Sequence, residues 1–251
     1  MKNLISKIIS HRGSSYNAPE NSIAAINLAW NQGVQKVEVD VRLTKDKQIV
    51  VFHDESLMRL ANLPLYMSKT EFKLLRKVDI GVWRGQQWAG EYIPLLSDVL
   101  SLLSEEKRLV IEVKVGEEIV SYLKQVLDEF KSATAYIEFI SFDYNVICRL
   151  KQEFPDIKCL WLLDLDYNAE TKRDMLNVDE IIDKVKSGNL DGVDLWAGAV
   201  ADSEFINKIK SEGISVYTWT INDLDIAQKY FDLDVDGITT DRPQLMLENL
   251  K

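Results

Sequence analysis

The chain has 251 residues, of which 46% are hydrophobic and 28% are charged, a composition typical of a globular protein with a full hydrophobic core. Its formal net charge of −10 disfavours nucleic acid as a partner, although a metal ion and a few local cations would still attract an anionic substrate. The start of the chain leaves no room for a secretory signal and no apolar run is long enough to cross a bilayer, so we expect a cytoplasmic protein without stable membrane anchoring.

Along the chain, short β-rich runs alternate with segments of helical periodicity. The predicted strands are Lys7–His11, Lys36–Leu43, Gln48–His53, Arg108–Lys114, Tyr136–Ser141, Lys158–Leu163, Gly192–Trp196, Ser215–Thr220 and Gly237–Thr240. The predicted helices are Glu20–Gln32, Glu117–Lys131, Tyr144–Glu153, Val178–Ser187, Asp202–Ser211 and Asp223–Tyr230, with a further helical stretch late in Ile93–Ser104. The first helix has the clearest ends, because Glu20, Asn21 and Ser22 supply capping and first-turn polar groups and Gly33 can close it.

Nine strands are one too many for a regular eight-stranded barrel, and the third strand resolves the count. Too few residues separate Leu43 from Gln48 for the crossover that two parallel strands require. We therefore predict that Gln48–His53 is an antiparallel hairpin excursion after the second strand. The remaining eight strands in βα order predict an α/β protein with a distorted (β/α)8 barrel. Because no repeat or linker interrupts it, we expect a single domain over residues 1–251.

Residues 55–92 form a long stretch with few regular signals, and the stretch leaves the barrel from the His53 end of a strand. We therefore expect it to lie over the active face of a barrel. Two interpretations stay open. The stretch is either a lid that sets substrate specificity, or a packed excursion whose aromatic side chains (Tyr66, Phe72, Trp83 and Trp88) fill a small core of its own.

Charged side chains recur at the ends of the predicted strands, where (β/α)8 barrels build their active sites. Glu38 and Asp40 are two residues apart in one strand and therefore point the same way. The hairpin places His53 opposite them, and Glu112 and Lys114 repeat the spacing in a later strand. Three carboxylates could share one divalent cation, and all-oxygen ligation favours Mg²⁺ or Ca²⁺. Lys114 would then be free to hold a phosphate oxygen.

The other histidine of the chain, His11, also stands at a strand end, in His11-Arg12-Gly13. Any one of these residues, taken alone, is more often structural than functional. Their joint position at one end of one kind of element is what favours an active site. Asp194, Trp196 and Ser141 reach the same end, and barrel-end packing explains them equally well. The cysteines, Cys148 and Cys159, have no metal-like spacing, and we expect reduced thiols.

The ordered set of short motifs resembles the glycerophosphodiester phosphodiesterase family. No single motif is specific, but together they span residues 11–243 in the family's order. They are His11-Arg12-Gly13, Pro19-Glu20-Asn21, Glu38-Val39-Asp40, Thr44-Lys45-Asp46, His53-Asp54, Ile93-Pro94, Glu112-Val113-Lys114, Trp219-Thr220 and Thr240-Asp241-Arg242-Pro243.

The resemblance implies a distorted (β/α)8 barrel that hydrolyses glycerophosphodiesters to sn-glycerol 3-phosphate and an alcohol. By position it implies His11 and His53 as the acid–base pair, and Arg12 and Lys114 near the phosphate. Trp219 would line the glycerol side of the pocket. The implied metal ligands are Glu38, Asp40 and Glu112, holding one divalent cation, Mg²⁺ or Ca²⁺. The resemblance also suggests that the glycerol 2-hydroxyl attacks first and that water then opens a cyclic phosphate.

The chain departs from the family pattern after His53-Asp54, where Leu57–Asn62 replaces an Arg-Thr-Thr-like run. Because of this departure, the sequence does not identify the residues that would bind the leaving group. Trp83 and Trp88 either offer aromatic faces to a choline-like cation or pack in the core or lid. Two other functions stay open: a sphingomyelinase-D-like phospholipase, and a barrel that binds a phosphodiester without turnover. The sequence does not fix the alcohol, the metal or the oligomeric state.

Overall fold

The computed structural model describes residues 2–166 and 176–250, and one sheet organises this part of the chain. Its order is β1-β9-β8-β7-β6-β5-β4-β2-β3, and β1 also pairs with β2, which closes eight parallel strands into a barrel. The strands are β1 Ile8–Ser10, β2 Lys36–Leu43, β3 Ile49–Val51, β4 Arg108–Val113, β5 Ile137–Ser141, β6 Lys158–Leu163, β7 Gly192–Trp196, β8 Ser215–Trp219 and β9 Gly237–Thr240. The predicted barrel and all nine predicted strands are confirmed.

The extra strand, β3, runs antiparallel to β2, with Val41 opposite Val51 and Leu43 opposite Ile49. The backbone pairing continues past the strand, because the Phe52 amide donates to the Asp40 carbonyl at 2.9 Å. The hairpin therefore delivers His53 to the end of β2 that carries Asp40, as the sequence predicted.

Helices fill the connections between the barrel strands. They are Lys2–Lys7, Ile23–Asn31, Met58–Ala61, Phe72–Leu75, Leu96–Leu100, Ile119–Glu129, Tyr144–Glu153, Val178–Ser187, Ser203–Ser211, Leu224–Asp232 and Pro243–Asn249. Short 3₁₀ segments cover Met67–Lys69, Val82–Arg84, Gln86–Trp88 and Lys131–Tyr136. The sequence did not predict four of these helices, namely Lys2–Lys7, Met58–Ala61, Phe72–Leu75 and Pro243–Asn249. The last begins with Pro243, whose fixed φ suits a first helical turn.

The helix after β1 is capped as predicted. The Ser22 hydroxyl accepts a hydrogen bond from the Ala25 amide at 3.1 Å, which satisfies one amide of the first turn. Gly33 follows the helix with φ +92°, a conformation that favours glycine.

Two apolar layers position the barrel. The larger one lies between the strands and the surrounding helices and includes Val37, Val39 and Val41 of β2. The other fills the barrel interior, with Ile9, Val110, Ile140, Leu160, Leu162 and Tyr217. Inward-facing side chains of β2 beyond this layer, at the carboxyl ends of the strands, are polar, and they build the site described below.

Residues 55–92 contribute to a separate hydrophobic cluster. Its buried members are Val50, Phe52, Leu57, Leu60, Met67, Leu75, Ile80 and Ile93. A packed excursion was one of the two interpretations, and of the four aromatic side chains it named, Phe72 packs against this cluster, whose buried members from residues 55–92 are aliphatic residues and Met67. Tyr66 and Trp83 are instead exposed.

Candidate active site

Three carboxylates meet at the mouth of the barrel. Glu38 and Asp40 alternate on β2, and Asp40 is the cross-strand neighbour of Glu112 on β4. Each residue offers an oxygen atom, these atoms all lie within 4.8 Å of one another, and all three residues are buried. Glu38 Oε1 is buried with no donor among the described residues, and the buried Asp40 Oδ1 and Glu112 Oε1 have only Lys114 beside them. We call Glu38, Asp40 and Glu112 the carboxylate cluster.

Two cations reach the carboxylate cluster without satisfying all of it. Arg12 Nε lies 3.1 Å from Asp40 Oδ2, and Lys114 Nζ lies 2.5 Å from Glu112 Oε1 and 3.3 Å from Asp40 Oδ1. Burial opposes ionisation of Asp40, but Arg12 and Lys114 hold its pKa well below the ordinary value. Burial and the neighbouring carboxylates raise the pKa of Glu38 well above its ordinary value and that of Glu112 to about 7. The cluster therefore holds more negative charge than its protein partners stabilise.

The turn after β1 is shaped to serve this cluster. Arg12 and Gly13 have φ of +54° and +79°, and a Cβ atom on Gly13 would lie 2.5 Å from the backbone of Ala25. Left-handed backbone at a non-glycine residue is a strained conformation that concentrates at functional sites. Here it aims the Arg12 amide at Glu38 Oε2, 2.9 Å away. The motif thus contributes a backbone donor as well as the Arg12 side chain.

Asn21 ties the same turn to β2. Its amide donates to the Arg12 carbonyl at 2.9 Å, and its side-chain Nδ2 donates to Asp40 Oδ2 at 2.8 Å. Asn21 Oδ1 in turn accepts from the Asp40 amide at 3.1 Å. This explains physically why Pro19-Glu20-Asn21 accompanies Glu38-Val39-Asp40.

His11 is held by a carboxylate from the far end of the chain. His11 Nδ1 lies 2.7 Å from Asp241 Oδ1, and Asp241 also accepts hydrogen bonds from Ser15 Oγ at 2.9 Å and Asn222 Nδ2 at 2.6 Å. Although burial opposes it, these donors hold the pKa of Asp241 below its ordinary value. A carboxylate that accepts a hydrogen bond from Nδ1–H fixes the ring orientation and leaves Nε2 for chemistry.

His53 has an equivalent arrangement with its neighbour in sequence. His53 Nδ1 lies 2.7 Å from Asp54 Oδ1. Burial lowers the pKa of His53, although Asp40 opposes the shift, so the imidazole is neutral at pH 7 and able to accept a proton. Neither His11 nor His53 has a hydrogen-bond partner at Nε2 among the described residues.

Arg59 connects the two halves of the site, and the sequence reading missed it. Its guanidinium makes bonds of 2.7 Å to Asp54 Oδ2 and to both oxygens of Glu20. Glu20 in turn accepts a bond of 2.8 Å from Arg12 Nη1. Arg59 thus bridges the partner of His53 and the partner of Arg12. The sequence feature that could have indicated Arg59 is the run Leu57–Asn62, which contains an arginine although it otherwise departs from the family's Arg-Thr-Thr-like pattern.

One cavity of about 280 Å³ joins these groups. Its lining residues are His11, Arg12, Glu38, His53, Glu112, Lys114, Ile140, Phe142, Leu162, Asp194, Trp219, Thr220 and Thr239. Of the predicted site residues only Asp40 lies behind the wall, fully buried among its partners. Trp219 stands edge-on to Phe142 and Trp196, with ring centres 5.4 and 5.1 Å apart, so the cavity has a charged wall and an aromatic wall.

Comparison with known proteins agrees with this geometry. The sequence profile of the glycerophosphoryl diester phosphodiesterase family matches residues 11–245. The chain belongs to this family. A Bacillus subtilis protein, YhdW, which is named provisionally as a glycerophosphodiester phosphodiesterase, is 32% identical over 97% of this chain and 98% of its own length. A glycerophosphodiester phosphodiesterase of Caldanaerobacter subterraneus is 29% identical over 96% of both chains.

A solved structure with a sequence identity close to that of these relatives has the same fold. The phosphodiesterase of Oleispira antarctica, in complex with the product sn-glycerol-3-phosphate, is 28% identical with a TM-score of 0.83, and the match covers 96% of this chain and 95% of that one. The family, the relatives and the fold together make this chain a glycerophosphodiester phosphodiesterase.

The structure also places the residues that the sequence left open in this phosphodiesterase. Asp194 lines the cavity, and Trp196 packs on Trp219. Ser141 has a structural role, since its buried hydroxyl donates to the Val113 carbonyl at 2.9 Å. Trp83 and Trp88 do not line this cavity, so the described geometry gives no support for a choline-binding role.

The structure also bears on three smaller expectations, which concern the cysteines, membrane-spanning helices and residues 55–92. Cys148 and Cys159 are both free, as expected of reduced thiols. No helix within residues 2–166 and 176–250 is long and apolar enough to cross a membrane. None of residues 55–92 lines the cavity, so the lid interpretation stays a prediction.

Proposed function

We propose that the chain hydrolyses glycerophosphodiesters to sn-glycerol 3-phosphate and an alcohol, with His11 and His53 as the acid–base pair. The observation that carries this proposal is the convergence of two carboxylate-held histidines and the carboxylate cluster on one cavity. The family membership supports the reaction class, and the neighbour solved with sn-glycerol-3-phosphate supports the product.

The carboxylate cluster fits a divalent cation. The three carboxylates share Lys114 and Arg12 as their only cationic partners among the described residues, Glu38 Oε1 is buried without a donor, and an all-oxygen set suits Mg²⁺ or Ca²⁺. Burial, and after it the neighbouring carboxylates, raises the pKa of Glu38 and of Glu112, and a bound cation would oppose both shifts. Such a cation, when bound, would neutralise charge on the non-bridging phosphate oxygens.

Arg12 and Lys114 would orient the phosphodiester. Both line the cavity beside the cluster, and buried acids raise the pKa of each above its ordinary value despite burial, so both stay charged. Fixed positive charge near the non-bridging oxygens stabilises the transition state more than the ground state. Trp219, on the opposite wall, would pack against the glycerol carbons.

The two histidines would move the protons. In the first step the glycerol 2-hydroxyl oxygen forms a bond to phosphorus while one histidine takes its proton at Nε2. The bond from phosphorus to the alcohol oxygen breaks, and the other histidine protonates that oxygen. In the second step water opens the cyclic phosphate with the two proton transfers reversed. Asp241 and Asp54 stabilise each imidazolium as it forms.

The test is release of sn-glycerol 3-phosphate from the choline, ethanolamine, glycerol and inositol diesters, with EDTA, Mg²⁺ or Ca²⁺. We expect release that EDTA abolishes and that one of the cations restores. The single variants His11→Ala and His53→Ala should lose activity by about 100-fold or more while keeping the circular dichroism spectrum.

Three results would contradict the proposal. Full activity in excess EDTA would exclude the metal role, and near-normal activity of both histidine variants would exclude the acid–base pair. Head-group release from sphingomyelin vesicles, with none from the water-soluble diesters, would instead favour a lipid substrate.

A further inference from the structure

Asp194 is a buried acid in the cavity wall that the proposed chemistry does not use. It is the central residue of β7, only 1% exposed, and it lines the cavity. Among the described residues, none donates a hydrogen bond to its carboxyl group, and its Oδ1 is shielded from solvent as well. Burial of a polar group without a partner destabilises a fold, so a carboxyl group kept in this state points to a ligand.

The surroundings of Asp194 favour the neutral form of its carboxyl group. Its register neighbours are Leu162 on β6 and Tyr217 on β8, both part of the interior apolar layer. Burial, and after it the charge of Glu112, raises the pKa of Asp194 well above its ordinary value. A protonated carboxyl group both donates and accepts a hydrogen bond, and it does not repel an anionic phosphate.

The topology places Asp194 across the barrel from the phosphate-binding groups. In the closed order of eight strands, β7 lies four strands from β2 in either direction. The cavity joins the carboxylate cluster to Asp194, so a ligand whose phosphate lies at the cluster can reach β7 with one of its other groups. In a glycerol phosphodiester the 2-hydroxyl stays near the phosphorus atom, and the terminal hydroxyl reaches farthest.

We propose that Asp194 binds the terminal hydroxyl of the glycerol moiety and selects glycerol esters over esters that lack this hydroxyl or carry an acyl chain on it. The inference rests on the function proposed above. The cavity, at about 280 Å³, is near the lower end of the roughly 300–1,000 Å³ of small-molecule sites, which suits a glycerol moiety. Acylation of the terminal hydroxyl would remove the hydrogen that this group donates. A site built to bond a hydroxyl discriminates strongly against the analogue without it, because its own polar group is then left unpaired.

The test compares sn-glycero-3-phosphoethanolamine with its 1-deoxy analogue, (2-hydroxypropyl)phosphoethanolamine, by release of ethanolamine. We expect wild-type kcat/KM to be about 10- to 100-fold higher for the glycerol ester. Asp194→Leu should lose this preference through a lower rate on the glycerol ester alone. Asp194→Asn, which still donates and accepts, should keep most of it. The matched control Leu162→Val changes the neighbouring wall and should affect both compounds alike.

Thermal melting separates this role from a structural one. Because Asp194→Leu removes an unpaired buried group, it should melt at or above the wild-type temperature, whereas loss of a structural residue would lower it. Calorimetry on the wild type adds a check that needs no variant. Product sn-glycerol 3-phosphate should bind about 10-fold more tightly than propane-1,2-diol 1-phosphate, its 1-deoxy form.

The outcomes distinguish this inference from the proposed function. Equal wild-type rates on both diesters, or an Asp194→Leu variant that keeps the preference or slows both compounds equally, would overturn the inference and leave the function standing. Hydrolysis of neither diester by the wild type would overturn the function, and the inference with it.

Discussion

The barrel holds two polar clusters, and their contrast shows what separates a functional site from a structural one. The carboxylate cluster lies at the carboxyl ends of the strands. A second group, here called the basal cluster, consists of Lys36, Glu138, Lys158 and Tyr217 at the opposite end of the barrel. Both groups use inward-facing side chains of β2, since Lys36, Glu38 and Asp40 alternate along it.

In the basal cluster the carboxylate of Glu138 is fully paired, although among the described residues Lys158 donates only to the Tyr217 oxygen. Lys36 Nζ lies 2.7 Å from Glu138 Oε1, and the Tyr217 hydroxyl donates to Glu138 Oε2 at 2.7 Å. Lys36 and Lys158 donate to the Tyr217 oxygen at 2.7 and 3.1 Å. Burial opposes ionisation of Glu138, yet Lys36 holds its pKa below the ordinary value. At the mouth of the barrel the pKa values of Glu38 and Glu112 are raised instead, so unmet charge, rather than burial, marks the site.

The largest expected effect comes from an isosteric change in the carboxylate cluster. Glu112→Gln removes one carboxylate oxygen from the proposed metal site, so release of sn-glycerol 3-phosphate should fall by about 1,000-fold or more. The free energy of unfolding of the metal-free protein should be unchanged or higher, because the change relieves repulsion between carboxylates. Steady-state kinetics and urea unfolding measure the two quantities. A variant with near-normal activity would remove Glu112 from the site.

A glutamate-to-glutamine change in the basal cluster should lower stability and leave activity nearly unchanged. Glu138→Gln leaves Lys36 and Lys158 buried without a counter-charge, which should cost about 3 kcal/mol of unfolding free energy, or roughly 6 to 12 °C in Tm. Activity of the folded fraction should stay within about 3-fold of the wild type, because Glu138 does not line the cavity. If Glu138→Gln lost activity but kept normal stability, the basal cluster would be functional rather than structural.

Arg59 tests a third kind of residue, which lies at the edge of the site and touches it indirectly. It contacts Asp54 and Glu20, which in turn hold His53 and Arg12. Arg59→Ala frees Asp54 and Glu20, so His53 and Arg12 should lose their fixed orientation and kcat should fall by about 10-fold. Stability should change little, because Arg59 is 45% exposed. The matched control is Arg84→Ala, also within residues 55–92, where the guanidinium lies over the Trp83 ring. Equal kinetics for the two variants would show that Arg59 does not position the site.

Much of this could be read from the sequence, because strand alternation fixes which side chains face inward. Lys36–Leu43 was predicted with its observed bounds, so Glu38 and Asp40 could be placed together before any tertiary contact was known. The short hairpin connection likewise placed His53. These inferences needed only local geometry.

Contacts between distant parts of the chain could not be derived in this way. Asp241 reaches His11 across 230 residues, and only its presence in Thr240-Asp241-Arg242-Pro243 hinted at a role. The basal cluster gave no signal, since Lys36 and Lys158 begin their strands and resemble solvated strand ends. Whether a buried charge is paired depends on the closed barrel, which the local pattern does not specify.

The smallest effect concerns pH and tests whether the unmet charge belongs to a metal site. Glu112 has its pKa raised from 4.5 to about 7 in the metal-free protein, so it holds its proton more tightly folded than unfolded. Its ionisation therefore costs stability progressively as pH rises from 4.5 to about 7, and a cation that needs the ionised form competes with that proton. Asp40, with its lowered pKa, is ionised throughout this window and adds no slope.

We therefore expect Mg²⁺ or Ca²⁺ to raise Tm by about 6 °C near pH 8.5 and much less near pH 5.5, relative to EDTA. Taking the difference between metal and EDTA at each pH cancels groups outside the cluster that titrate equally in both. The profile of Glu112→Gln should be flatter, because one of the two carboxyl groups with a raised pKa is gone and only Glu38 still exchanges a proton for the cation. If Tm rises by the same amount at both pH values, the cation binds elsewhere, and the raised pKa of Glu112 reflects burial without a metal-binding role.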